Sequence, residues 1–241
     1  MKFGIELTDA HCHLDLFDDP RLTIQDARMG GVNIMITAGG SRSSSMAAIK
    51  ITEHEKNVFA VIGIDPQGAV EDADFVGKIK ELVKTHRSVI GIGEIGLDYK
   101  VGAEKALQKK VFEEQMEIAR LLDVPIVVHS RQAIEDVTAL VIKHGVKKAM
   151  FHYFEGDEQQ AKALADMGYI ISIPPSESGK RRRVINALDI NSLAAETDSP
   201  AVGKNPIDVI RVVQYIAGIK QIPFEEASAC TTENVKKLFS I

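Results

Sequence analysis

Eight short apolar runs rich in β-branched residues recur along the chain, each followed by a longer stretch in which apolar residues return at helical spacing. The runs are Ile5–Ala10, Val32–Ala38, Val58–Ile64, Val89–Ile95, Pro125–Ser130, Lys148–Tyr153, Tyr169–Ile173 and Ser192–Thr197. Short runs with little polar alternation read as strands buried on both faces, which is how parallel sheets covered by helices look. The stretches between them, Pro20–Met29, Ser43–Lys56, Asp72–Arg87, Ala103–Leu122, Arg131–His144, Asp157–Met167 and Lys180–Leu188, predict the covering helices, and Pro206–Ile219 and Phe224–Phe239 predict two more. Within Lys105–Leu122 the residues Leu107, Val111, Phe112, Gln115, Met116 and Ala119 fall on one helical face. Eight β/α repeats in 241 residues predict an α/β fold, a single (β/α)8 barrel of the TIM type with a C-terminal helix, forming one domain over residues 1–241. A doubly wound open sheet is the alternative if one strand is misassigned. No glycine-rich dinucleotide fingerprint follows the first strand, and no linker or composition shift marks a second domain. Pro174–Gly179 is turn-rich and predicts a surface loop.

Charge narrows the partners. Lys and Arg total 29 against 34 Asp and Glu, a net charge of −5, so no global field draws the chain to nucleic acid or anionic lipid, and a polyanion must be held locally. Two cysteines, Cys12 and Cys230, are too few for a disulfide scaffold. Lys2 and Glu6 leave no signal-peptide core in the first six residues, so the expected location is the reducing cytoplasm. Apolar stretches such as Pro125–Val128 fall far short of the roughly 20 residues that span a bilayer, and no membrane association is expected.

The residues able to carry chemistry sit at strand ends. Side chains alternate along a strand, so His11 and His13 project to one side and Cys12 to the other. Glu94 ends the fourth strand, His129 the fifth and His152 the sixth, and Asp198 follows the eighth. In a barrel these ends share the rim where active sites are built. Four imidazoles and two carboxylates exceed what one tetrahedral zinc requires, which favours two divalent ions with Glu94 able to bridge them. Polar side chains that merely hydrogen-bond to one another at strand ends are the alternative. His54, His86 and His144 fall near predicted helix ends and read as caps or surface residues.

In order, Asp9-Ala10-His11-Cys12-His13-Leu14-Asp15, Gly93-Glu94-Ile95-Gly96-Leu97-Asp98-Tyr99, Val128-His129-Ser130-Arg131, Glu196-Thr197-Asp198-Ser199-Pro200 and Thr232-Glu233-Asn234-Val235 make a chain that resembles the TatD-type metal-dependent hydrolases of the amidohydrolase-like barrels. The resemblance runs nearly end to end. It implies a dinuclear site, with His11, His13 and Asp198 on one ion, His129 and His152 on the other, and Glu94 between them. It further implies deoxyribonuclease activity on phosphodiester bonds, often exonucleolytic, with Mg²⁺, Mn²⁺ or Zn²⁺. Related barrels often bridge with a carboxylated lysine, whereas here an acid stands at that strand end.

Three departures bear on substrate. Gly63-Ile64-Asp65-Pro66-Gln67 stands where the family usually has Gly-Ile-His-Pro-His, so Asp65 changes the pocket beside the ions. Tyr153 adds a phenol after His152, where the family has Cys. The segment after Pro200 lacks the family's longer Pro/Arg/Gly-rich loop and its arginine. Metal-activated water would attack phosphorus or a carbonyl carbon, and Asp198 would carry the proton to the leaving group. Arg131, at the start of the helix after the fifth strand, is placed to clamp a phosphate. The basic run Lys180-Arg181-Arg182-Arg183, on the loop after the seventh strand, is placed to neutralise a backbone. The expected partner is therefore DNA or another phosphodiester. A small ester, lactone or amide hydrolysed at the same centre is the second reading, and a metal- or nucleic-acid-binding protein without turnover is the third.

Overall fold

A computed structural model describes residues 6–241. Eight parallel strands follow one another around a barrel in sequence order: β1 (Leu7–Cys12), β2 (Val32–Gly39), β3 (Val58–Ile62), β4 (Val89–Asp98), β5 (Ile126–Arg131), β6 (Ala149–Phe151), β7 (Ile170–Ile173) and β8 (Leu193–Ala195). Between β8 and β1 the ring closes through the segments just beyond the ladder: Asp198 N donates to His11 O at 2.9 Å and His13 N to Ser199 O at 2.8 Å. The expected start of the first strand, Ile5, lies outside the described residues. Around the barrel run α1 (Pro20–Met29), α2 (Arg42–Thr52), α3 (Ala69–Asp72), α4 (Val76–Thr85), α5 (Lys105–Leu122), α6 (Ile134–Lys143), α7 (Glu158–Asp166), α8 (Gly179–Ala187), α9 (Val209–Lys220) and α10 (Phe224–Phe239). No helix among the described residues is long and apolar enough to cross a membrane.

Local chemistry fixes the helix starts. The Asp19 carboxylate accepts from Leu22 N ahead of Pro20, Ser41 and Ser44 cap α2 reciprocally, and Asp157 and Gln160 do the same for α7. Inside the barrel Ala10, Ile36, Val61, Val127, Met150 and Ala194 form an apolar cluster that includes Val235, Leu238 and Phe239 of α10. The C-terminal helix thus closes the end of the barrel opposite the chemistry. Asn234 ties it there, donating to the carbonyls of Ile190 and Leu193, both at 2.8 Å.

The expected face of α5 is buried at Val111, Phe112, Gln115, Met116 and Ala119, while Leu107 packs at its edge. Its two buried glutamines do positional work. Gln115 accepts from Ile64 N at 2.8 Å and donates to Ile64 O at 2.9 Å, and Gln108 accepts from Asp98 N and donates to Asp98 O, both at 2.9 Å. Each satisfies a strand-end peptide that has run out of ladder partners, so that Asp65 and Asp98 leave the barrel at fixed points.

Candidate metal centre

At the C-terminal rim, the strand register slips by one residue between Asp9 and Cys12 of β1 and between Ile92 and Ile95 of β4. These irregularities fall on His11 and Glu94. Ala10 belongs to the inner apolar cluster, and His11 beside it also turns inward, toward His13 and Glu94; consecutive residues share a side only where the pleat is broken. Cys12 faces away and its thiol donates to Ile36 O at 3.5 Å.

The Glu94 carboxylate divides its oxygens between two pairs of imidazoles. Oε2 lies 3.5 Å from His11 Nε2 and 3.7 Å from His13 Nε2. Oε1 lies 2.5 Å from His129 Nδ1 and 3.0 Å from His152 Nε2. Asp198 Oδ1 joins the first pair, 3.3 Å from His13 Nε2 and 3.7 Å from His11 Nε2. The structure thus brings all six expected ligand residues together. Within each pair the ring nitrogens meet at 3.3 Å, and the rings of His11 and His152 stack with centroids 4.0 Å apart.

This donor set fits metal ions. Three overlapping groups, His11/His13/Glu94, Glu94/His129/His152 and His11/His152/Asp198, each have their ligand atoms within 4.8 Å of one another. Buried imidazole nitrogens directed at one another leave either lone pairs facing lone pairs or protons facing protons unless a single proton or a cation lies between them. Nδ1 of both His11 and His152 is buried without a hydrogen-bond partner among the described residues, while Nε2 of each ring points at the Glu94 carboxylate and is the nitrogen a cation there would take. Neutral imidazoles and ionised carboxylates are the nitrogen and oxygen donors that Zn²⁺ and Mn²⁺ accept.

A second layer orients the rings. His13 Nδ1 lies 3.0 Å from Ala38 O, which makes Nδ1 the protonated nitrogen of the neutral ring and leaves Nε2 as donor to a metal. His129 Nε2 lies 3.3 Å from Asp98 Oδ2, and His152 Nδ1 lies 3.7 Å from Glu196 Oε2. Glu196, fully buried, also accepts from Tyr153 N at 2.6 Å and from the Ser172 hydroxyl. Asp9, equally buried, accepts from Thr197 N at 2.8 Å and Thr197 Oγ1 at 2.6 Å, bracing the turn that presents Asp198. Gly96 admits the closest approach. Its φ of +150° and the 1.9 Å that would separate a Cβ from His129 O leave no room for a side chain, which lets β4 run against the backbone of His129.

Electrostatics follow from this packing. Burial raises the Glu94 carboxyl, but the His152 charge and the hydrogen bonds from His11 and His129 outweigh it and hold it well below the usual range. Burial likewise opposes charge on His13 and His129, yet the hydrogen bonds that His13 donates to Asp198 and His129 to Asp98 and Glu94, with the carboxylate charges, bring each up to about 9. Asp198 is held at about 2, because the His13 hydrogen bond and the His152 and His11 charges overcome its burial. Asp65 moves the other way, to about 6, through burial and then the charge of Glu94.

The centre opens into a cleft of about 600 Å³ lined by His13, Glu94, His129, His152, Asp198 and the three expected substrate-side residues Asp65, Arg131 and Tyr153. Two placements differ from expectation. Arg131 ends β5 instead of starting a helix, since α6 begins only at Ile134; its guanidinium is exposed, 3.9 Å from Asp98 Oδ2. The basic run, placed on the loop after the seventh strand yet also inside the predicted Lys180–Leu188 helix, forms the first turn of α8 as that helix has it, because Ser178 caps the helix by accepting from Arg181 N. His86 and His144 are C-caps of α4 and α6, and His144 pairs with Glu113. Sequence reasoning missed Asp98 and Glu196 as supports. Asp98 was hidden because β4 continues three residues beyond Ile95, whereas Glu196 precedes Asp198 at the same two-residue spacing that had singled out His11 and His13.

The model of the TatD related DNase family matches residues 8–240. A human protein named deoxyribonuclease TATDN3 is 31% identical, covering 98% of this chain and 95% of its own. An uncharacterized metal-dependent hydrolase, YabD, from Bacillus subtilis is also 31% identical, covering 98% of this chain and 99% of its own. Among solved structures, the TatD homologue YJJV from Escherichia coli superposes with a TM-score of 0.91 at 24% identity, over 98% of this chain and 99% of that one, which supports the fold.

Proposed function

Because the chain belongs to the TatD family of metal-dependent hydrolases, we propose that it cleaves phosphodiester bonds of DNA at a centre holding two divalent cations, Zn²⁺, Mn²⁺ or Mg²⁺. The observation that carries this reading is the division of the Glu94 oxygens between two imidazole pairs. His11, His13 and Asp198 would hold one ion, His129 and His152 the other, and Glu94 both. Bound there, the ions would acidify a water and neutralise charge developing on the phosphoryl oxygens.

The chain's own residues supply the rest. Asp198 Oδ1 faces His13, while Oδ2 has no hydrogen-bond partner among the described residues and is available to take the proton of the attacking water and pass it to the leaving oxygen. Its main chain, at φ +49°, is fixed by the bond from Asp198 N to His11 O, so this oxygen is presented without a search over conformations. Arg131, exposed at the cleft wall, offers its guanidinium to a non-bridging phosphoryl oxygen. Tyr153 also lines the cleft. The chain acts as one catalytic domain, and its two free cysteines suit a reducing compartment such as the cytoplasm.

One observation favours a second reading. Asp65 brings a further carboxyl group to the cleft, held by Gly68 N at 2.6 Å, and a carboxylate there disfavours a phosphodiester relative to a neutral small ester, lactone or amide. The test is hydrolysis of end-labelled single-stranded DNA by the Mn²⁺- and Zn²⁺-loaded protein, beside a panel of esters and lactones. Release of nucleotides with little turnover of the panel is the expected result. Rapid lactone or ester hydrolysis without DNA cleavage would refute the phosphodiester assignment.

A further inference from the structure

Beside the metal cleft lies a second cavity of about 540 Å³, and the two share Ser130, Tyr153 and Glu155 as a common wall. We infer that this second cavity, between the ends of β5 and β6 and the first turn of α8, holds a second phosphate of the substrate, adjacent along the strand to the scissile diester. The inference rests on the phosphodiesterase reading above and narrows it from any diester to a strand of at least two phosphates.

Charge makes the case. Lys100, Lys180 and Arg181 line the cavity against one acid, Glu155. Several cations elsewhere on the surface are neutralised by carboxylates: Arg42 by Asp74, Lys109 by Asp136, Lys143 by Glu113, Lys148 by Asp123. The cavity cations are not. Lys100 has no side-chain partner among the described residues. Lys180 Nζ donates to the main-chain oxygen of Glu155, and Arg181 Nη1 to the carbonyl and hydroxyl of Ser176, so among the described residues their partners are uncharged acceptors. In a chain of net charge −5, three cations without a carboxylate partner around one concavity form a local anion site.

The basic run divides accordingly. Arg183 turns away to pair with Glu158, while Lys180 and Arg181 face the cavity. Arg181 is also fixed in place, its guanidinium 5.3 Å above the ring of Tyr153, the residue that separates the two cavities. A cation stacked this way stays planar and pre-oriented for a phosphate. The shared wall carries an unpaired group as well: Ser130 Oγ is buried without a hydrogen-bond partner among the described residues, as is Arg181 Nε. Lys180 and Arg181 belong to the first turn of α8, so the positive end of that helix adds to the field.

The test measures binding apart from turnover. Thymidine dinucleotides joined by a hydrolysis-resistant methylphosphonate and ending in either a phosphate or a hydroxyl, at the 5′ and then the 3′ end, are titrated into the Mn²⁺-loaded protein. A terminal phosphate should tighten binding about tenfold at one of the two ends, as expected for charge-assisted bonds to two cations. In the double variant Lys180→Ala/Arg181→Ser the contrast should fall below about twofold with metal content unchanged, and in Lys100→Ala it should fall partway. A wild-type contrast below about twofold at both ends, or an undiminished contrast in the double variant, would overturn the inference. Equal competition by ribose 5-phosphate would overturn the assignment to a strand and give the cavity to a phosphorylated sugar. Cleavage of the natural dinucleotide is scored separately: a binding contrast without cleavage refutes the reaction and retains the subsite, and cleavage without the contrast does the reverse.

Discussion

The half of the centre built on β1 and β8 and the half built on β5 and β6 hold their imidazoles by different means. In the first, the main chain does the holding: His13 is set by Ala38 O at 3.0 Å, and His11 and Asp198 lie on segments cross-linked by the bonds that close the barrel. In the second, carboxylates do it: Asp98 behind His129 and Glu196 behind His152. A carbonyl fixes a ring's orientation and tautomer, whereas a carboxylate also makes the ring a stronger donor to a metal. The imidazoles of the first half are therefore less sensitive to side-chain change around them, although Asp9 and Thr197 brace its Asp198, and the second half can be tuned by one substitution in its supports.

The largest way to break this contrast is to remove the group both halves share. Glu94→Gln should reduce metal content by at least one ion per chain and lower turnover by roughly 10³-fold or more, since each half loses a charged ligand. Elemental analysis beside kinetics checks it, and two ions retained at wild-type affinity would remove the bridging role. Asp198→Asn should lower kcat by about 10²- to 10³-fold with little change in KM, because a proton acceptor is lost while Arg131 and the cleft walls remain. Full activity in that variant would reassign the proton carrier.

Asp98→Asn sharpens the comparison most directly. It should weaken one of two metal-binding steps by about 10- to 100-fold and leave the other unchanged, as read by calorimetric titration. An equal loss in both steps would mean that the halves are not supported independently.

The smallest effect is the pH dependence. Without bound cations His13 and His129 stay protonated up to about 9. Metals need the neutral rings, so affinity should rise with pH until about 9, and metal uptake at pH 7 should release protons, seen as a binding enthalpy that depends on the buffer. The sign for stability is opposite. Raised imidazole values stabilise the metal-free fold fully below the unfolded value of about 6.5, and this contribution is lost as pH climbs through about 9. Asp198, depressed to about 2, stabilises above the ordinary carboxylate range and loses its contribution only as pH falls through about 2. Thermal melts of the metal-free protein should therefore decline from pH 6.5 toward 9. A flat profile would show that the imidazoles are not held charged.

What the sequence made legible follows the same division. The repeat of buried strands and amphipathic helices has a strong local period, and it placed His11, His129 and His152 on one rim before any contact was known. The slips in β1 and β4 have no such period. They arise where neighbouring strands disagree in register, a property of pairs of segments and not of either alone. Asp98 was missed for a related reason: β4 passes through Gly96 and Leu97 with no polar alternation and continues to Asp98 by pairing with β5, while Gln108 of α5 satisfies its last peptide on the other side. Likewise the basic run could be seen, but not that Arg183 would turn to Glu158 while Arg181 stacked on Tyr153.

Anomalous diffraction from crystals grown with excess Mn²⁺ tests the dinuclear centre most directly. Two peaks are expected, one against each oxygen of Glu94, the first also touching His11, His13 and Asp198 and the second His129 and His152. A single peak, or two peaks that do not share Glu94, would contradict it.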